Sequence, residues 1–283
     1  MILAALRAEW FKLVRRRAIW VTIGLMLVLA VGIEYVLVYV VATHPPAAAA
    51  SRAGESLATA RMALYPASVI KKSVANDSGL IGLFALIVGV LVQGSEYSWG
   101  TVKTAFVQLP GRVSLVLGQL GSLALLVLVM ALALFAFNAL SSYVIGSLDS
   151  QSSGWPPAVD FIKGVGAAWL ILYVLAVLGF GLATIFKQSA LAIGLGLAYV
   201  LVIENLVFGL LGNLGNPFNQ IQQWFPIANG GYLQQSFGKV NSGTTSVVAT
   251  SSASPGHAVT VLVVWLVAIA VVSAALVRAR DVA

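Results

Sequence analysis

GSEYSWGTVKTAFVQLPGR, residues Gly94–Arg112, is a polar interruption between two apolar runs, Leu80–Val92 and Val113–Leu148. Charges of both signs and a Pro-Gly pair are disfavoured in lipid, so we expect the interruption to lie at a membrane surface and both runs to cross the membrane. Thr101–Leu109 is long enough for about two helical turns, which Pro110 would end. We predict a short surface helix between the second and third spans, with a plain connecting loop as the alternative.

The composition is that of a membrane protein. Of the 283 residues, 60% are hydrophobic and 9% are charged, whereas soluble domains carry about a quarter charged residues. No polar segment is long enough for a second globular domain, so residues 1–283 are predicted to form one all-α membrane domain. Since about 20 apolar residues cross a bilayer, six transmembrane helices are predicted, at 19–42, 78–94, 113–146, 161–186, 189–212 and 258–277.

Residues 1–18 predict a basic amphipathic helix ahead of the first span. Their apolar side chains recur at helical spacing and most of their basic side chains fall on other faces, which suits a helix lying in the membrane interface. The apolar run that follows exceeds a typical signal-peptide core, so we expect the segment to be retained. The predicted membrane-anchoring residues are Trp10, Lys12, Arg15, Arg16 and Arg17.

The basic residues also predict orientation. More lysines and arginines fall on the inner side when both termini are cytoplasmic, as the positive-inside rule requires. We predict a multi-pass protein of the plasma (cytoplasmic) membrane, with 94–112 inside and both 43–78 and 213–257 outside. The net charge of +7 is accounted for by anchoring to the lipid bilayer, so no nucleic-acid partner is expected.

Several kinds of chemistry have no sequence support. No Gly-x-x-x-x-Gly-Lys-Ser/Thr phosphate loop occurs, and no Gly-x-Ser-x-Gly hydrolase motif occurs. His44 and His257 are isolated from carboxylates at metal-ligand spacing, and cysteine is absent. We predict that the chain is not an enzyme and has no catalytic residues, no metal site and no cofactor of its own.

Two acids interrupt apolar spans. Glu34 lies 15 residues after Ile19, and Glu204 lies 15 residues after Ser189. Both spans run outward in the predicted topology, so each acid is about 22 Å from the inner end. An acid within the membrane is a candidate functional group that faces an aqueous cavity or a partner, so Glu34, Glu204 and the adjacent Asn205 are candidate functional residues. The alternative is that each acid is packed and hydrogen-bonded against another helix.

Short motifs resemble those of ABC-2-type transporter permeases. LRAEWFKL at 6–13, RRR at 15–17 and Trp20 are similar to the start of such permeases. EYSWGTVK at 96–103, followed by PGR at 110–112, is similar to a second part of them. The plan of six spans with a long last outer loop fits the same family over the whole chain.

The resemblance implies a subunit of an ABC exporter for an amphiphilic or hydrophobic substrate such as a drug, an antibiotic or a lipid. A permease half would pair with a second half and with cytosolic ABC ATPase subunits that hold the ATP and Mg. Residues 1–18 would form the elbow helix, 94–112 would hold the coupling helix, and 213–237 would be re-entrant. The first and fifth spans would line the central cavity, which would place Glu34, Glu204 and Asn205 on the substrate path. The ATPase-coupling residues would be Glu96, Tyr97, Trp99, Thr101, Lys103, Phe106 and Arg112.

Two other functions remain open. A secondary transporter could use Glu34 and Glu204 as proton carriers, although the sequence has neither an internal repeat nor paired broken helices. A membrane scaffold or sensor subunit without transport activity is also compatible with the composition.

Overall fold

The computed structural model describes residues 2–45, 54–75, 77, 79–98, 112–151, 154–207, 220–238 and 254–279. Within these ranges all regular secondary structure is helical. The helices are α1 (Ile2–Arg15), α2 (Arg17–Thr43), α3 (Gly54–Met62), α4 (Val69–Val74), α5 (Leu80–Ser98), α6 (Arg112–Leu148), α7 (Ala158–Phe186), α8 (Ser189–Ala198 continued by Tyr199–Val207), α9 (Pro226–Gln235) and α10 (Pro255–Ala279).

Five of the described helices are long and apolar enough to cross a membrane, namely α2, α5, α6, α7 and α10. The chain is therefore an all-α membrane protein, as the composition predicts. The apolar part of α8 is shorter and covers Ser189–Glu204. The predicted span 189–212 is described only as far as Val207, so the sixth span stays a prediction.

The helices on either side of the polar interruption extend into it. α5 continues through Gly94 to Ser98, and α6 begins at Arg112. Since α6 has 37 residues, its length is about 55 Å, against a hydrocarbon core of about 30 Å. No proline or charge occurs in α6 after Arg112, and the helix ends where Asp149 follows.

α7 is the centre of the bundle, with its middle turns almost entirely buried, and it packs against α5, α6, α8 and α10. The α5–α7 contact is a close approach of two backbones. A Cβ atom on Gly89 would lie 1.8 Å from the carbonyl oxygen of Ala176, and one on Gly179 would lie 2.1 Å from that of Leu86. Small residues at such crossings allow tight packing where lipid removes the hydrophobic drive for association.

α1 is docked on the bundle. It packs along α6, where Gly118 leaves room for Ala5, and Leu13 is also buried. Arg16 has extended backbone angles, φ −79° and ψ 109°, so α1 and α2 are separate helices that meet at this residue. In contrast, α2 and α10 expose long apolar faces at the periphery of the bundle.

Candidate functional site

A buried ion-pair cluster joins the α1–α2 junction to the end of α5. The Arg16 guanidinium donates hydrogen bonds to the Glu96 carboxylate and to the Ser95 hydroxyl. It also lies 3.4 Å from the carbonyl oxygens of Leu91 and Val92. Glu96 is only 3% exposed, so its charge depends on these donors for stabilisation. Arg16 itself lies in the extended backbone of the α1–α2 junction.

Lys12 completes this cluster. Its ammonium lies 2.6 Å from a Glu9 carboxylate oxygen and 3.5 Å from Glu96 Oε1. Burial raises the pKa of Glu9, and the hydrogen bond from Lys12 partly offsets that effect. The α1–α5 cluster, Glu9, Lys12, Arg16 and Glu96, therefore contains two acids and two bases.

The cluster brings together residues that the sequence assigns to two different roles. Lys12 and Arg16 are predicted membrane anchors, whereas Glu96 is a predicted coupling residue. The Arg16 side chain is paired with Glu96, and the anchoring role of Arg16 stays a prediction. The sequence gives no signal for this pairing, because the partners are separated by 80 residues.

The other predicted anchoring residues lie nearer the surface. Trp10 is half-buried against the core. Arg15 is exposed, with its guanidinium carbon 4.0 Å from the ring centroid of Phe11. Arg17 is exposed at the first turn of α2. These positions suit contact with headgroups.

Two more of the predicted coupling residues lie at the end of α5 and the start of α6. Tyr97 is half-buried in the last turn of α5, and the backbone of Arg112 begins α6. The remaining members of the predicted set lie outside the described residues: Trp99, Thr101, Lys103 and Phe106.

Glu34 and Glu204 each lie in a π-helical segment. The segment in α2 is Gly32–Leu37, and the segment in α8 is Tyr199–Val207. Both carboxylates are almost fully buried, at 5% and 3% exposure. π-helical turns are rare and are frequently found at functional sites. The two acids therefore share a local geometry as well as a position along their spans.

Glu204 binds the N-terminus of α9. Its carboxylate accepts hydrogen bonds from the backbone amides of Ile227 and Ala228, the latter at 3.0 Å. Pro226 begins this helix, and a negative charge near a helix N-terminus is favourable. Glu204 is therefore buried and hydrogen-bonded to α9 in this structure, and its place on a substrate path stays a prediction. Only the backbone of Asn205 is described.

The segment before α9 packs on α10 through aromatic side chains. The indole of Trp265 donates a hydrogen bond to the carbonyl oxygen of Trp224 at 2.7 Å, and His257 Nε2 lies 3.2 Å from that of Gln223. α9 itself is largely buried and contacts both α7 and α10. The described part of the predicted re-entrant segment is therefore held firmly against the bundle.

Glu34 has different neighbours. Lys72 of α4 is half-buried, and its ammonium lies 6.0 Å from the centroid of the Tyr35 ring. Burial lowers the pKa of Lys72, and attraction to Glu34 partly offsets that effect. Asp77, in the turn before α5, is fully buried close enough to Glu34 for the two acids to interact. Sequence reasoning missed Asp77, because a single acid before an apolar run resembles a loop residue.

A second ion pair was also missed by sequence reasoning. Arg61 Nε donates to Asp149 Oδ2 at 2.9 Å, a second guanidinium nitrogen donates to Oδ1, and the Tyr65 hydroxyl donates to Oδ2 at 3.0 Å. The hydrogen bond from Arg61 lowers the pKa of Asp149. This Arg61–Asp149 pair ties the end of α3 to the end of α6 across 88 residues.

Among the described residues, no group of three or more His, Cys, Asp or Glu side chains could hold a metal ion.

Comparison of the sequence with known proteins identifies a family. No curated protein matches the chain. The model of one family, "Protein of unknown function (DUF2705)", matches residues 61–283, which include α4 to α10 with Lys72, Asp77, Glu96 and Glu204. The match covers well over half of the sequence, and the chain belongs to this DUF2705 family.

Proposed function

We propose that the chain is the transmembrane permease subunit of an ATP-driven ABC exporter. The observation that carries the proposal is the α1–α5 cluster. It includes Glu96, which belongs to the 94–112 stretch in which the resemblance places the coupling helix, and residues 99–111 follow it directly in the sequence. Glu96, the last acid before that stretch, is tied to Arg16, the first residue before the first membrane-spanning helix.

The cluster provides a mechanical connection. A push on residues 99–111 by a cytosolic ATPase would act on the end of α5. Separating the buried Arg16–Glu96 pair would leave an uncompensated charge and would cost several kcal/mol, so α5 and the α1–α2 junction would move together. Because α5 also contacts α7 backbone to backbone, the movement would reach the centre of the bundle.

The substrate path in this proposal passes α2 and α8. Glu34 and Glu204 would attract a cationic amphiphile when water enters between two permease halves, since hydration lowers the cost of an intramembrane charge. Both termini would be cytoplasmic, and ATP and Mg would be bound by the partner ATPase. The long apolar faces of α2 and α10 would contact lipid or the second half.

Affinity purification from native membranes tests the proposal. Tagged wild-type chain should retain an ATPase that contains a phosphate loop. Phe106→Asp should lose that ATPase, because a charge would disrupt apolar docking of the coupling helix. Met62→Asp is the matched control, since Met62 is an exposed apolar residue on the predicted outer side. Recovery of no ATPase with the wild-type chain, or equal recovery with both variants, would contradict the proposal.

A second candidate is a proton-coupled secondary transporter. The specific observation in its favour is that Glu34 and Glu204 are buried in π-helical segments. In this case the chain alone, reconstituted in vesicles, would accumulate substrate under a proton gradient without nucleotide. Glu34→Gln and Glu204→Gln would abolish that accumulation, whereas an ATP-driven permease would show none.

A further inference from the structure

Asp77 is a buried carboxyl group without a hydrogen-bond donor. The side chain is 0% exposed, and neither carboxylate oxygen has a hydrogen-bond partner. Its position is fixed by a close contact, since a Cβ atom on Gly82 would lie 2.5 Å from the carbonyl oxygen of Asp77. An ionised carboxylate in such surroundings is strongly disfavoured and takes up a proton unless a cation compensates it.

Asp77 has a second acid nearby and no ion-pair partner among the described residues. Its charge would interact with that of Glu34 in α2, and Lys72 of α4 interacts in turn with Glu34. None of the ion pairs between described residues includes Asp77. A negative charge on Asp77 would therefore be buried near another acid without a cation paired to it.

The surroundings of Asp77 favour its neutral form. Burial raises the pKa of Asp77 well above its ordinary value, and the nearby Glu34 charge raises it further.

We propose that Asp77 is a proton-binding site, with a carboxyl group that is protonated at neutral pH. When the site ionises, the O–H bond of the Asp77 carboxyl group breaks, the proton passes to water and the negative charge stays on Asp77. The site does not require an ATPase partner, so it stands or falls separately from the export function.

Infrared spectroscopy of the purified full chain in nanodiscs tests the site. The wild-type protein at neutral pH should show the C=O band of a protonated carboxylic acid, which decreases as the pH is raised. Asp77→Asn should lose the intensity of one carboxyl group, whereas Asp160→Asn, at an exposed acid, should retain the wild-type band. Equal bands in wild type and Asp77→Asn would overturn the proposal.

A further variant keeps the test decisive if Asp77→Asn does not fold. Glu204→Gln should retain a pH-dependent carboxylic-acid band, and its complete loss would place the proton on Glu204 and refute the proposal. Replacing choline chloride by sodium chloride should have no effect, and loss of the band in sodium would identify a metal cation as the ligand instead.

Discussion

Arg16→Met is the perturbation that tests the α1–α5 cluster most sharply. The substitution keeps a long apolar stem but removes the guanidinium that donates to Glu96 and Ser95. Glu96 would stay buried, with Lys12 at 3.5 Å. Breaking a buried ion pair by removing one partner costs about 3–5 kcal/mol, and the remaining Lys12 places our expectation near the lower end, at about 3 kcal/mol.

The neighbouring Arg17 provides a matched control. It has the same side chain at the next position but is exposed, so Arg17→Met should change the free energy of unfolding by no more than about 0.5 kcal/mol. The double variant Arg16→Met/Glu96→Met removes both charges and should be more stable than Arg16→Met alone, because an apolar pair of similar volume replaces a buried ion pair with little loss.

The assay is reversible unfolding in mixed micelles, followed by tryptophan fluorescence as denaturant is added. The order of stability should be wild type and Arg17→Met, then the double variant, then Arg16→Met. If Arg16→Met and Arg17→Met unfold at the same denaturant concentration, the buried pair contributes nothing to the junction and the mechanical connection has no basis.

Three further predictions concern other contacts. Gly89→Leu should destabilise the bundle by about 1–3 kcal/mol or more in thermal unfolding, because the added side chain overpacks against Ala176. Gly166→Leu should be tolerated, since a Cβ atom there meets nothing within 4 Å. Equal effects of the two substitutions would contradict the α5–α7 contact. Glu204→Leu should expose the first amides of α9 to hydrogen exchange while Glu204→Gln retains an acceptor, and unchanged exchange in Glu204→Leu would refute the capping role. The pKa of Asp149 is lowered in the folded protein. Its pairing with Arg61 therefore stabilises the folded protein above the ordinary carboxyl pKa, and that stabilisation is lost as the pH falls through the lowered pKa. Protection of the amides at the end of α3 from hydrogen exchange should fall on acidification in wild type and should be insensitive to pH in Asp149→Asn.

The amino-acid sequence was sufficient to predict the fold class, because composition and apolar run length alone determine which segments can be membrane helices. The extent of the helices was harder to predict. Gly94–Ser95 interrupts the apolar pattern, yet the backbone continues as a helix to Ser98. A polar residue near the end of a span does not break the hydrogen-bond ladder, and here Glu96 is compensated by Arg16.

The candidate site was only partly predictable. Glu34 and Glu204 are conspicuous because an acid in an apolar run is rare, and both are buried in the structure. Their partners could not be inferred, since the amides of α9 and the Lys72 ammonium approach them only through tertiary packing. Asp77 and the Arg61–Asp149 pair lie in segments that look like ordinary polar loops, and only the fold shows which of these charges are buried or paired.

Transport by reconstituted vesicles tests the central claim most directly. The chain, purified with its co-purifying ATPase and inserted into proteoliposomes, should move a cationic amphiphilic dye when ATP and Mg are supplied on the ATPase side. A proton gradient without ATP should move none, and Phe106→Asp should abolish the ATP-driven transport while Met62→Asp preserves it. Transport by the chain alone under a proton gradient, unaffected by ATP or by Phe106→Asp, would contradict the account.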